Sequence, residues 1–375
     1  PQTGMKFHSV LKLSLALGLP LGGAAKIASP RPFRLIDEEE ALGDGIAFNH
    51  SWLLREHSTQ LLRLFPDVIP TPSFVQTYTY ETSACSTKNA TYCFDLSSLG
   101  LVAAEIIDAE LDKTGAILFR NLPVHNARQF REFFQGTKWP TMKYAPYGPN
   151  RPQVEGIDLA TNIPSQYALG LHNEMAYDPK PASRISFFCN TPAQVGGETI
   201  LGYNKELTAI LPQEMLDFIR QQGGVVYTRR HFDNAGSLGP DFTLMRLSSW
   251  QEKCRGTTKE EAMAFYTNKG FHPSELDFDA EGTLTIRFQH SGFTHVNGED
   301  VWFNGIYSGL TTTPDGMPFP SEFSDRLEMY HWKAASAFKL QENDWLVLDN
   351  KRVMHGRLPY SKQGLERQLL TVYSA

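Results

Sequence analysis

Three side chains stand out as able to do chemistry together: His172 and Glu174 in Leu171-His172-Asn173-Glu174, and His355 downstream in Asp349-Asn-Lys-Arg-Val-Met-His355-Gly-Arg357. In an extended strand, or at its exit, residues i and i+2 point to the same side, so that imidazole and that carboxylate can share a metal ion. Eleven histidines among 41 acidic residues should give about one His-x-Asp/Glu by chance, so the pair alone says little. The apolar run 345–348 feeds a turn that presents His355, which can complete a face of two histidines and one carboxylate. Such a face leaves open the iron positions that a bidentate 2-oxo acid and dioxygen require together, more than a hydrolytic zinc needs. Other hydrolase signatures are missing from the sequence: there is no His-Glu-x-x-His, nucleophile elbow or Cys-x-x-Cys.

Two further elements suit the co-substrate that this face would take. Arg367 follows His355 by 12 positions, where a planar guanidinium can pair bidentately with the distal carboxylate of 2-oxoglutarate. In Gly196-Gly197-Glu198-Thr199 the glycines allow close backbone approach, and the Thr199 hydroxyl can donate to the same carboxylate. By itself that stretch reads equally well as a hairpin turn.

Taken together, His172-Asn-Glu174, Pro192-Ala-Gln-Val-Gly-Gly-Glu-Thr199, Val301-Trp-Phe-Asn304, and Asp349-Asn350 through His355-Gly-Arg357 with Arg367 resemble the TauD/TfdA family of Fe(II)/2-oxoglutarate-dependent dioxygenases. Thr199 follows Glu174 by 25 positions, and the resemblance runs from about residue 101 to the C-terminus. It implies a mixed α/β, mainly β fold: a double-stranded β-helix, or jelly-roll, core with helical decoration and the metal at its open end. It further implies His172, Glu174 and His355 as ligands of Fe(II), with Thr199 and Arg367 holding 2-oxoglutarate. The implied reaction consumes O2, releases succinate and CO2, and hydroxylates, desaturates or oxidatively cyclises an unactivated C–H position of a small amino-acid-like metabolite. Glu174 in place of the Asp of taurine dioxygenase is closer to the clavaminate-synthase-like and amino-acid-hydroxylase branch. Thr371, four positions after Arg367, replaces the basic residue of taurine dioxygenase, which speaks against a sulfonate. Tyr167, Asn173 and Asn304 are candidate substrate contacts, with a purely structural polar role as the alternative for each.

The elements that must position these residues are short strands and a few helices. A helix over 101–111, the breaker Thr114-Gly115, a strand at 116–120 and an amphipathic helix over 127–134 open the domain. Strands follow at 184–189, 224–228, 284–288, 345–348 and 368–373, the last with clean alternation. Many short strands with intervening helices argue for a sandwich or barrel. Residues 99–375 therefore read as the catalytic domain and 30–98 as an N-terminal extension packed on it, with a helical patch around Trp52.

Residues 1–4 precede Met5 and look like remnants of cloning, while residues 5–29 open with Lys6 and Lys12 and then carry an apolar stretch from Leu13 to Ala25, the layout of a signal-like leader. That stretch is too short and too broken by Gly and Pro to span a membrane. With the sequons at Asn49 and Asn89 and the pair Cys85 and Cys93, it points to the secretory pathway or an organelle; a cytoplasmic location with reduced thiols is the alternative. A net charge of −6 with scattered Lys and Arg offers no footprint for nucleic acid. The rival functional class is a non-catalytic, secreted jelly-roll ligand-binding protein, and the four-part constellation argues against it.

Overall fold

A computed structural model describes residues 32–36, 75–81, 95–144, 151–161, 163–233, 249–306, 311–361 and 366–375. The leader, both sequons, Cys85, Cys93 and the patch around Trp52 lie outside the described residues. Cys189 and Cys254 are free thiols. No helix of the described residues is long and apolar enough to cross a membrane.

Two sheets face each other. The large one takes, in spatial order, β1 (Phe33–Ile36), β2 (Val75–Tyr80), β3 (Ala116–Arg120), β17 (Trp345–Asp349), β8 (Arg184–Thr191), β19 (Gln368–Ser374), β6 (Ile157–Leu159) and β5 (Gln153–Val154), with β4 (Thr141–Met142) on the end of β19. The small one takes β16 (Ser336–Phe338), β9 (Thr199–Tyr203), β18 (Val353–Arg357) and β7 (Leu169–His172). This is the jelly-roll core. Beside it lie a sheet of β11 (Leu276–Phe278), β12 (Leu284–His290), β10 (Val225–His231) and β15 (Thr311–Thr312), and a hairpin of β13 (Phe293–Val296) and β14 (Glu299–Trp302). Two strands from the segment read as an extension, β1 and β2, are built into the large sheet, β2 pairing parallel to β3.

The period of two along each strand sorts its side chains between layers. On β17, Leu346 and Leu348 enter the core between the sheets, while Trp345 and Val347 point the other way. On β8, Ile185, Phe187 and Cys189 face inward and Phe188 outward; on β19, Leu369 and Tyr373 oppose Leu370. The outward set is covered by helices α1 (Leu96–Thr114) and α2 (Ala127–Gly136), whose Phe130 and Phe133 are fully buried. Phe130 stacks on Phe188 at 4.5 Å between centroids and Phe133 meets Trp345 edge-on at 5.0 Å. Each such pair adds about 0.5–1.5 kcal/mol beyond area burial. Asp95 caps α1 by accepting from Ser97 and Ser98, and Gly115, at φ 75°, ends it.

Behind the small sheet a separate apolar cluster joins Leu171, Ile200 and Met354 to helices α3 (Asn204–Ile210), α4 (Gln213–Gln221) and α7 (Ser321–Lys333). Helices α5 (Trp250–Cys254) and α6 (Lys259–Asn268) share an apolar cluster with β12 through Trp250, Ala262, Tyr266, Leu284 and Ile286.

His331 of α7 is buried, with Nδ1 donating to the Leu327 carbonyl at 2.9 Å. Burial, reinforced by nearby His172, pushes its pKa down to about 4. The unfolded chain then takes up this proton near pH 6.5 while the folded chain resists it, so the contribution of His331 to stability is complete above pH 6.5 and drains away as pH falls toward 4. About 2 kcal/mol should be lost from this residue between pH 7 and pH 5. Urea melts at both pH values, on wild type and His331→Gln, should show the variant losing that much less; equal losses would assign the acid sensitivity elsewhere.

Candidate metal and co-substrate site

His172 is the last residue of β7, and His355 sits opposite it in the adjoining strand β18. Gly356 makes this register possible, because a Cβ there would lie 2.3 Å from the Leu169 carbonyl oxygen and 2.9 Å from that of Gly170. Glu174 follows in the turn that leaves β7, just before Met175 at a left-handed φ of 57°. Nδ1 of His172 contacts the Gly170 carbonyl at 3.0 Å. Donating there fixes the tautomer and leaves Nε2 free to act as a ligand.

The ligand-capable atoms of His172, Glu174 and His355 all lie within 4.8 Å of one another. Glu174 Oε2 is 3.9 Å from His355 Nε2. Burial, His172 and Arg151 together hold the His355 imidazole well below its usual pKa, in the neutral form that a metal ligand needs.

Asn350, fully buried, fixes the carboxylate's backbone. Its Oδ1 accepts from the Glu174 N–H at 2.9 Å, and its Nδ2 donates to the carbonyls of Glu174 at 2.8 Å and Ala182 at 2.9 Å. Sequence reasoning placed Asn350 in a motif without giving it this work. Its carbonyl in turn accepts from Asn173 Nδ2 at 2.7 Å.

His172, Glu174 and His355 line a cavity of about 410 Å³ between the sheets, together with Thr199, Arg357 and Arg367. Thr199 opens β9 and pairs in register with Arg357. Gly197, at φ 76°, could carry no side chain, since a Cβ would meet Ala193 at 2.9 Å and stand 3.5 Å from the Arg367 side chain. Arg367 forms no ion pair among the described residues, and burial lowers its pKa. Arg357 donates to the carbonyls of Tyr167 at 2.8 Å and Pro164 at 3.2 Å and packs 4.9 Å over the Tyr360 ring, and its Nε and Nη1 have no hydrogen-bond partner of normal geometry among the described residues. The site thus holds buried guanidinium groups short of acceptors, beside two imidazoles and a carboxylate. That donor set fits a divalent metal and a dicarboxylate.

The three residues read as substrate contacts are not in the cavity wall. Asn173, between two residues that point inward, points outward and bonds Asn204 and Asn350. Asn304 bridges the Gly292 carbonyl and the Ile306 N–H, holding a loop. Tyr167 is half exposed, and its backbone carbonyl meets Arg357.

One charged residue of the cavity lay outside the sequence reading. The Arg151 Nη2 donates to Glu174 Oε2 at 3.0 Å, and the guanidinium packs 4.0 Å over the Tyr144 ring.

A family model described as "Taurine catabolism dioxygenase TauD, TfdA family" matches residues 86–373. Among curated proteins, the "Dapdiamide synthesis protein DdaC" of Enterobacter agglomerans is 24% identical over 290 residues, covering 70% of this chain and 84% of that one. The "Clavaminate synthase-like protein At3g21360" of Arabidopsis thaliana is 22% identical over 273 residues, covering 68% and 80%. Among solved structures, AAD-2 in complex with Mn(II) and N-oxalylglycine aligns with a TM-score of 0.46 at 15% identity over 82% of this chain and 95% of that one.

Proposed function

The chain belongs to the TauD/TfdA family of Fe(II)/2-oxoglutarate-dependent dioxygenases, and from that premise we propose that it oxidises an unactivated C–H bond of a small amino-acid-like metabolite, by hydroxylation, desaturation or ring closure. In this reading His172, Glu174 and His355 hold iron(II), and Thr199 and Arg367 hold 2-oxoglutarate. What supports it above all is the convergence of those three ligand groups in one cavity that also contains a guanidinium with no ion pair among the described residues. The similarity to a dapdiamide synthesis protein supports a biosynthetic role on a small molecule.

Iron(II), 2-oxoglutarate and dioxygen together supply the oxidising power, with succinate and CO2 released. The chain's own part is positional. Asn350 fixes the backbone from which Glu174 projects, and the Gly170 carbonyl keeps His172 in one tautomer. Arg367 offers a fork for the distal carboxylate of the co-substrate, and the Thr199 hydroxyl can donate beside it. Phe187 and Leu369 give the cavity apolar walls, which keep water away from a reactive centre.

Anaerobic titration of the metal-free protein with iron(II) and then 2-oxoglutarate tests this. A weak visible metal-to-ligand charge-transfer band should form only when both are present. Iron bound without a band would overturn the co-substrate assignment.

A further inference from the structure

Resting on the oxygenase reading, we propose that Arg151 recognises the substrate through a carboxylate, which its guanidinium takes over once Glu174 is committed to the metal. Arg151 comes from a different segment than the co-substrate residues. Its side chain is 9% exposed, and Glu174 is its one carboxylate partner among the described residues. The oxygen it contacts, Glu174 Oε2, is also the one that faces His355 Nε2. Commitment of Glu174 to a metal ion would draw away the negative charge that now balances Arg151, and a buried guanidinium left without a counter-charge is costly.

The charges of the cavity lead the same way. Its lining has one carboxylate, Glu174, and three guanidinium groups, Arg151, Arg357 and Arg367, a net charge of +2 by that count. A divalent cation and a doubly negative co-substrate cancel, so the excess remains. Counting Glu198 as well, which lies near Arg367, still leaves one positive charge to be met.

Position separates this group from the co-substrate end. Arg367 precedes β19, whereas Arg151 lies 5.7 Å from the ring of Tyr373 near the far end of that strand. Arg151 also lines a surface groove whose walls carry five further Lys and Arg side chains, Lys143 and Arg255 among them, against two acids. A route with that charge draws anions toward the guanidinium.

The test uses the twenty common L-amino acids and their primary amides as probes, added under argon to protein loaded with Mn(II) and 2-oxoglutarate. Thermal shift selects the binders and calorimetry measures them. At least one amino acid should bind at least tenfold more tightly than its own amide. Arg151→Met should weaken that binding by about 100-fold or more, and Arg151→Lys should recover part of it. Equal binding of acid and amide, wild-type affinity in Arg151→Met, or no binder in the panel would each overturn the proposal. With iron(II) in place of Mn(II), the charge-transfer band should still form in Arg151→Met. Its loss there alone would make Arg151 a co-substrate or structural residue, whereas its absence in wild type would instead sink the oxygenase reading. The comparison of acid with amide needs only wild-type protein, so it decides even if a variant fails to fold.

Discussion

His355→Ala should abolish stoichiometric iron binding and cut 2-oxoglutarate turnover by at least about 1,000-fold, leaving the fold in place. The side chain lies between the sheets but near the cavity wall, and its ring touches His172 and Phe187 with centroids 4.4 and 5.1 Å away. Truncation therefore removes one of three ligand groups and a modest amount of packing. The strand that carries it is held independently by its pairing with β9 from Val353 to Arg357. Loss of activity should accordingly come with a near-normal melting curve. Replacing even a group that merely orients a ligand typically costs 10–100-fold in metal affinity, and a ligand itself should cost more. Metal analysis after anaerobic reconstitution, with succinate release measured in parallel, reads both quantities. A His355→Ala protein that keeps a full equivalent of iron and wild-type turnover would remove His355 from the metal site.

The proposed ligands were legible because two of them are local neighbours and the third follows a recognisable strand. A spacing of two puts His172 and Glu174 on one side wherever the chain is extended, and His355 follows an apolar run with the pattern of a buried strand. The same rule tells against Asn173: lying between two inward residues it must face outward, where the structure has it bonding Asn350. Strands β3, β8, β17 and β19 were readable from their apolar runs, and their ends differ from the expected ones by a few residues at most. Arg151 was not readable. It lies in a stretch rich in Tyr, Pro, Gly and Asn with no period, and its proximity to Glu174, 23 positions on, is a tertiary contact. Nor did composition reveal that β1 and β2 belong to the large sheet, since the parallel pairing of β2 with β3 spans the whole of α1. Such pairings between distant segments are set by tertiary packing, which local patterns do not encode.

Arg367→Ala should raise the 2-oxoglutarate concentration needed for half-maximal turnover by about 100-fold or more, with iron binding intact. The residue is part-buried at the cavity wall and has no ion pair among the described residues; Glu198 lies near it without bonding to it, so its fork is free to take a carboxylate. Arg357 is the competitor for this role. It lines the same cavity, its Nε and Nη1 have no partner of normal geometry among the described residues, and burial beside Arg367 pulls its pKa down to about 10. Two of its contacts are already made, however, since Nη2 donates to the Pro164 and Tyr167 carbonyls. Arg357→Ala should therefore cost stability through those carbonyls and affect the co-substrate less than Arg367→Ala does. Arg367→Lys should recover part of the affinity as a point charge without the fork. Titrating 2-oxoglutarate against each variant while following the charge-transfer band ranks the two arginines directly, and a larger loss in Arg357→Ala would transfer the co-substrate's distal carboxylate from Arg367 to Arg357.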